Sequence, residues 1–206
     1  MIAELLRTAS RPQHQQAENS SFITELMTGK LNLEAYAKYL ANLAWLYETL
    51  EAKVAEGQAY PSSEQIWDSR LDRLDSITAD LEALGVHDWR NTTQPSKAMA
   101  SYVDYIKSLD GKSDFRLIAH HYTRYLGDLS GGQAIAALVG RHYGATADQL
   151  SFYRFLQIDD LVRFKESYRE SLNGLQISDA ELDALVREVQ LAFEFNQKVF
   201  EDLANA

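Results

Sequence analysis

The strongest constraint on this chain is its hydrophobic period. Between Leu31 and Gly57 the apolar side chains fall at Leu33, Tyr36, Tyr39/Leu40, Leu43, Leu46/Tyr47, Leu50 and Val54, at spacings of three and four. That spacing gathers them on one stripe of an α-helix, whereas a strand, with a period of two, would scatter them over both faces. The same period recurs in "SSEQIWDSRLDRLDSITADLEALG", "SKAMASYVDYIKSL", "DFRLIAHHYTRYL", "IDDLVRFKESYRESLNGL" and "SDAELDALVREVQLAFEFNQKVFEDLA". The punctuation agrees. Ser62 or Ser63 is the expected N-cap of the first of these segments and Gly85 its C′ residue. Asn173-Gly174 ends the fourth, and Ser178 with Glu181 forms a capping box for the fifth. Pro12, Pro61 and Pro95 are the only prolines, and there is no alternating pattern, internal repeat or low-complexity tract. The expected fold is therefore all-α, a single compact domain over residues 1–206 with about eight helices and short loops.

One stretch resists this pattern. "YTRYLGDLSGGQAIAALVG", Tyr122 to Gly140, reads as helix on both sides, yet Gly127, Gly131 and Gly132 lie within six residues at its middle. A helix-interior glycine costs ~1 kcal/mol relative to alanine, so three together need a compensating reason. A phosphate-binding role is excluded by context. "LSGGQ", Leu129 to Gln133, is also the signature pentapeptide of ABC-transporter ATPases, and "GKS" at Gly111 to Ser113 resembles the end of a P-loop. A P-loop would need glycine at position 106, where Ile106 stands, and a preceding strand, which the pattern does not offer.

Composition narrows the chemistry further. The chain has no cysteine, so disulfides, thiolate metal sites and cysteine nucleophiles are excluded. A formal net charge of -10 argues against nucleic-acid binding and requires a local basic cluster wherever an anion is to be held. No signal-peptide core, membrane-spanning run or C-terminal anchor is visible, and a soluble cytoplasmic protein is expected.

The histidines carry the remaining signal. There is neither a His-Glu-x-x-His nor a Glu-x-x-His motif. His120 and His121 are adjacent, hence about 100° apart on a helix, and read as structural. His87 and His142 sit near helix ends and read as surface or capping residues. In "SRPQHQQAEN", Ser10 is a candidate N-cap, Pro12 lies in the first turn and Gln13 takes the capping-box position. His14 follows, and Glu18 lies one turn on, leaning back toward it. A carboxylate on the far ring nitrogen is the usual partner of a metal-ligating histidine. On local sequence alone an exposed i,i+4 pair is the simpler reading.

Taken together, "HQQAEN", "YTRYLGDLSGGQ", "RFKESYRESLN" and "FEFNQKVF", in this order and spacing, resemble the haem oxygenase family over essentially the whole chain. The resemblance implies haem b sandwiched between a proximal helix and a kinked distal helix. It implies oxidative cleavage of that haem, at the α-meso carbon, to biliverdin, CO and ferrous iron. Haem is then both cofactor and substrate, and O2 is consumed. Electrons come from a ferredoxin, flavodoxin or flavin reductase.

Residue roles follow from the same resemblance. His14 is the iron ligand and Glu18 orients it. Gly127, Gly131 and Gly132 bring backbone close to the haem plane. Asp128 anchors a distal water network that Tyr47, Arg124 and Asn196 extend. Lys165, Arg169 and Tyr122 meet the propionates, supplying the local positive cluster, and Arg7 and Arg11 add to it. Phe193 and Phe200 form pocket walls. A monomer without membrane anchor is expected. Two other readings stand beside this one. One is a haem carrier or storage protein without turnover. The other is an all-α interaction protein in which the glycines mark only close helix packing.

Overall fold

The long apolar stripe forms one helix in the computed structural model, which describes residues 1–56 and 66–205. In chain order the described residues form α1 (Ile2–Ala9), α2 (Arg11–Glu18), α3 (Ser21–Met27), α4 (Leu33–Ala55), α5 (Leu74–Ala83), α6 (Trp89–Thr92), α7 (Lys97–Ser108), α8 (Arg116–Asp128), α9 (Gly132–Tyr143), α10 (Leu161–Asn173) and α11 (Asp179–Ala204). They contain no strand, so the all-α expectation holds. There are more helices than expected because the N-terminal segment breaks into three. The Ser10 hydroxyl donates to the Leu6 carbonyl at 2.7 Å and closes α1. Pro12 then opens α2, and the Ser20 hydroxyl caps α3 by accepting from the Ile23 amide.

One helix is shorter than its pattern. Of the segment expected to begin at Ser62 or Ser63, the described residues from Ile66 on form an α-helix only from Leu74, and both serines lie outside the described residues. Asp68 caps a short 3-10 turn over Ser69–Leu71. Arg73 is then buried, with its guanidinium donating to the carbonyls of Leu71, Phe152, Arg154 and Arg70. Its plane lies over the Phe155 ring at 4.1 Å. An arginine whose donors are committed to backbone carbonyls holds the chain in a path that no local helix could follow. The first amides of α5 are met from α4, where the Glu51 carboxylate accepts from the Arg73 and Leu74 N–H groups at 2.6 and 3.1 Å. At the far end Gly85, with φ +83°, ends α5 as expected.

α11 is the element on which the others assemble. Its predicted capping box, Ser178 with Glu181, is present. It packs against α8, α7, α2, α3, α1 and α4. α2 and α8 both pack against α11, and they are not themselves a closely packed pair.

The adjacent histidines diverge as expected. His120 is held between the Tyr102 hydroxyl and the Glu188 carboxylate, each at 2.9 Å. His121 Nδ1 meets the Tyr168 hydroxyl at 2.7 Å, and its ring lies against Trp67 and Tyr125. Burial, opposed only by Asp68, pushes His121 down to about 3 from an ordinary 6.5. The folded state therefore binds fewer protons than the unfolded chain below pH 6.5. This group's contribution is complete above that pH and is lost as pH falls from about 6.5 to about 3. In full the loss is on the order of 5 kcal/mol. His121→Gln should flatten the fall in urea-measured stability across that window; an unchanged slope would show that other groups set it.

His87 sits on the surface beside Glu82 at 2.5 Å, and His142 ends α9. The "GKS" segment is a turn after α7, with Asp110 accepting from the Lys112 amide and the Ser113 hydroxyl. Among the described residues no group of three His, Asp or Glu side chains is placed to hold a metal ion. No helix there is long and apolar enough to cross a membrane.

Candidate active site

The glycine stretch is a kinked helix. α8 ends at Asp128 and α9 begins at Gly132, and the backbone between them stays right-handed, with Leu129 at φ −63°, ψ −15° and Gly131 at φ −70°, ψ −31°. The Gly127 carbonyl accepts from both the Gly131 and Ser130 amides, at 2.8 and 3.2 Å. None of these glycines needs a left-handed conformation, so the requirement is one of space.

That space lies on two opposite sides. A Cβ on Gly127 would meet nothing within 4 Å, and one on Gly131 only the Gly127 carbonyl at 3.6 Å. Both residues are exposed and lie one turn apart, so they clear a strip of bare backbone facing outward. Gly132 is buried, and a Cβ there would lie 2.6 Å from Tyr153 Cδ1. Its need for glycine comes from Tyr153, a reason the sequence did not show. The difference is measurable. Gly127→Ala should raise the stability of the ligand-free protein by ~0.5–1 kcal/mol through helix propensity. Gly132→Ala should lower it by ~1–3 kcal/mol through overpacking. Urea unfolding separates the two; the same sign for both would refute the assignment.

Behind the bare strip lies a buried polar cluster. Arg124 and Asp128, one turn apart on α8, form an ion pair at 3.1 Å. The Tyr47 hydroxyl, from α4, donates to the other oxygen of Asp128. Arg124 Nε donates to the Tyr47 hydroxyl at 3.3 Å, and its NH1 to Asn196 Oδ1, from α11, at 2.9 Å. The Asn196 amide in turn donates to the Ala192 carbonyl at 2.7 Å. All four side chains are buried. The four residues expected to share a network are thus brought together from three helices.

The electrostatics follow from this packing. Burial raises the Asp128 carboxyl above its ordinary value, while Arg124 and Tyr47 oppose that rise. Burial also works against the Arg124 charge, but Tyr47 and Asp128 outweigh it and hold the guanidinium well above its usual range. The Tyr47 phenol is pushed far up, chiefly by burial. A charge pair taken out of water persists only when its remaining lone pairs and protons are used, and here Tyr47 and Asn196 use them.

On α2, His14 Nδ1 lies 3.3 Å from Glu18 Oε2, with both side chains at least half exposed. Phe193 of α11 presents its ring to the His14 ring at 5.4 Å and 70°. His14 Nε2 has no hydrogen-bond partner among the described residues. The helix start differs from expectation. Ser10 occupies the N-cap position, but its hydroxyl turns back to Leu6 and no capping box forms with Gln13. The Gln13 carbonyl instead accepts from Gln197 Nε2 at 2.8 Å, tying α2 to α11.

The basic residues gather at one edge. Lys165 Nζ is 3.5 Å from both the Leu129 carbonyl and the Ser130 hydroxyl, so it already sits on the glycine turn. Arg169 is exposed and has no hydrogen bond or ion pair among the described residues. Burial raises the Tyr122 phenol, and the charges of Arg169 and Arg7 act against that rise, which places all three in one patch. Arg7 contributes less than a free cation, because Glu4 pairs with it at 2.7 Å. Arg11 is exposed on α2. Phe200 departs from expectation: it is buried against Phe22 and Tyr39, so it belongs to the core and not to a pocket wall. Two residues near the Asp128 cluster escaped the sequence reading, Tyr39 and Tyr153. Tyrosines at helical spacing among leucines look like core, and only the fold shows which way their hydroxyls face.

An exposed imidazole, a strip of bare backbone and a group of cations suit a flat, anionic ligand with a metal atom at its centre. The heme oxygenase family model matches residues 1–202. The heme oxygenase of Porphyra purpurea is 34% identical over 203 residues, covering 98% of this chain and 86% of that protein. The crystal structure of heme oxygenase-1 from the cyanobacterium Synechocystis sp. PCC6803 in complex with heme is similar at a TM-score of 0.94 and 33% identity, covering 99% of this chain and 92% of that one. Heme oxygenase from Leptospira interrogans gives a TM-score of 0.91 at 32% identity over 97% of this chain and 98% of its own. Sequence, fold and site geometry therefore converge, and the chain belongs to the heme oxygenase family.

Proposed function

We propose that this chain binds haem b between α2 and the α8–α9 turn and cleaves it at the α-meso carbon to biliverdin, CO and ferrous iron. The observation that carries the reading is the buried Asp128–Arg124–Tyr47–Asn196 cluster standing directly behind the bare strip of Gly127 and Gly131. Haem, when bound, supplies both the iron that activates O2 and the porphyrin that is consumed.

The chain's own residues do the rest. The Glu18 carboxylate, 3.3 Å from His14 Nδ1, is placed to accept its proton; that bond would fix the tautomer and leave Nε2 as the nitrogen that would hold the iron. Gly127 and Gly131 carry no side chain along the strip, so neither supplies a proton donor there. Asp128, with one oxygen bound by Arg124 and the other by Tyr47, keeps acceptor capacity with which to orient water toward the strip. Lys165, Arg169 and Tyr122 would hold the propionates, with Arg7 and Arg11 adding charge. By fixing the rotation of the ring they select the meso edge, which supports α cleavage. The same patch gives a chain of net charge -10 a cationic face for an electron-donating partner, a ferredoxin, flavodoxin or flavin reductase. A single domain over residues 1–206, acting as a cytoplasmic monomer, completes the proposal.

Hemin titration followed by a reductase system under air tests it. A Soret band that gives way to biliverdin IXα is expected. No Soret band defeats both haem readings, a band that persists without bilin leaves a haem carrier, and a different bilin isomer defeats the α assignment. Gly127→Ala, though more stable, should lose about tenfold in haem affinity, which is ~1.4 kcal/mol.

A further inference from the structure

Lys165 and Arg169 lie on a helix with few neighbours. Tyr168 and Leu172 are the buried residues of α10, and α1 is the helix packed closely along it. At its C-terminal end Asn173 Oδ1 accepts from the Ala3 amide at 3.0 Å. A helix tied at one end can still turn about that point, and apolar contact, which has no direction, does little to stop it. The tie that has direction stands more than one turn back, where the Tyr168 hydroxyl lies 2.7 Å from His121 Nδ1 and joins α10 to α8. Either tautomer makes this bond, since the phenol can donate to a bare Nδ1 or accept from Nδ1–H. His121 has no room to swing away. It is 3% exposed, its ring lies parallel to that of Tyr168, and Tyr125 and Trp67 close it in at 4.2 and 4.7 Å. The other contacts of this face of α10 are softer: Arg70 over the Phe164 ring at 5.1 Å, and Lys165 at 3.5 Å from the glycine turn.

We propose that Tyr168 and His121 are positioning residues whose bond sets the rotation of α10 against α8 and so selects which meso edge of the haem meets the distal wall. Lys165 and Arg169 stand three residues before Tyr168 and one after it, so any turn of α10 carries both cations along together. His121 lies on the same helix as Arg124 and Asp128. The cations proposed for the propionates and the cluster proposed for the distal face are thus gauged against a single rod, α8. The edge selection rests on the proposed haem cleavage; the tie between the two helices does not.

The experiment has a ligand-free arm and a turnover arm. In the haem-free protein, hydrogen exchange of the α10 amides should quicken about tenfold in Tyr168→Phe and in His121→Phe, with those of α7 unchanged. Equal quickening in α7 would mean a general loosening, and no quickening would mean that the bond holds nothing; either overturns the proposal. In turnover, the ratio of the main bilin isomer to the others should fall about threefold to tenfold in each variant, as the loss of one neutral hydrogen bond allows. The double variant should fall no further than either single one. His121→Asn, whose amide stands where Nδ1 was, should restore the ratio. An unchanged ratio, an additive double variant or no rescue by asparagine overturns the edge selection, whatever the exchange shows. If the wild type forms no bilin, the functional reading fails, while exchange still decides whether the pair holds α10.

Discussion

His14→Ala should abolish imidazole ligation of hemin and lower biliverdin formation by at least ~10²-fold, with the protein's own stability almost unchanged. The separation of the two effects is what makes the result informative. The His14 side chain is half exposed, and its contacts are Glu18 and the edge of Phe193. Surface substitutions of this kind usually fall within ~0.5 kcal/mol. The hemin spectrum should revert toward the wild type when imidazole is added to the solution, since the cavity left by the side chain admits it. Glu18→Gln keeps the hydrogen bond but not the charge, and should cost less, ~10-fold in turnover or affinity. A His14→Ala complex with an unaltered imidazole spectrum would assign the iron to another residue.

Asp128→Ala should be costly on two counts. It leaves the Arg124 guanidinium buried without its counter-ion, and removing one partner of a buried pair costs ~3–5 kcal/mol. It also deprives the distal wall of its fixed acceptor, for which a fall of ~10²–10³-fold in biliverdin formation is expected, with haem still bound. Asp128→Asn is no gentle alternative, because one side of the amide would present donors to Arg124 or Tyr47, both of which already donate to the carboxylate. Tyr47→Phe separates the effects. It spares the ion pair and removes one hydrogen bond to a charged group, a cost of ~1.5–3 kcal/mol, so the protein should remain folded for kinetics. Urea unfolding and product analysis check both variants. Unchanged biliverdin yield in Asp128→Ala would remove the carboxylate from the mechanism.

The helices were legible because a period of three and four survives any tertiary context that buries one stripe. A cap written in side chains, such as Ser178 with Glu181, was equally plain; Ser96 before α7 is of the same kind and was not singled out. Caps supplied from elsewhere were not. Glu51 serves the start of α5 from another helix, and Arg73 holds the preceding residues out of helical form through carbonyls some eighty residues away. Leu71 and Leu74 keep helical spacing throughout, so the pattern gave no warning.

The site divides in the same way. Arg124 and Asp128 are four apart, so their common face could be read directly. Tyr47 and Asn196 entered through resemblance to a family, because no spacing rule links positions on different helices. The structure supplies the missing relation. On α8, His120, Arg124 and Asp128 follow one another at intervals of four, as Glu188, Ala192 and Asn196 do on α11, and the two rows face each other. Gly132 and Phe200 were misplaced for a shared reason: a small residue and an aromatic ring are each compatible with either side of a wall.

α11 carries contacts to both α2 and α8 within one turn. Phe193 meets His14, and three residues on, Asn196 holds Arg124. Gln197 grips the backbone of α2 beside them, and Gln190 that of Ala9. The helix is thus the beam of a caliper with both jaws mounted on it. Their separation is set by side-chain lengths on a single rigid rod, and turning the rod would move both jaws together. Adjustment to the thickness of what lies between them falls to the breaks in the jaws, those that flank α2 and the turn between α8 and α9.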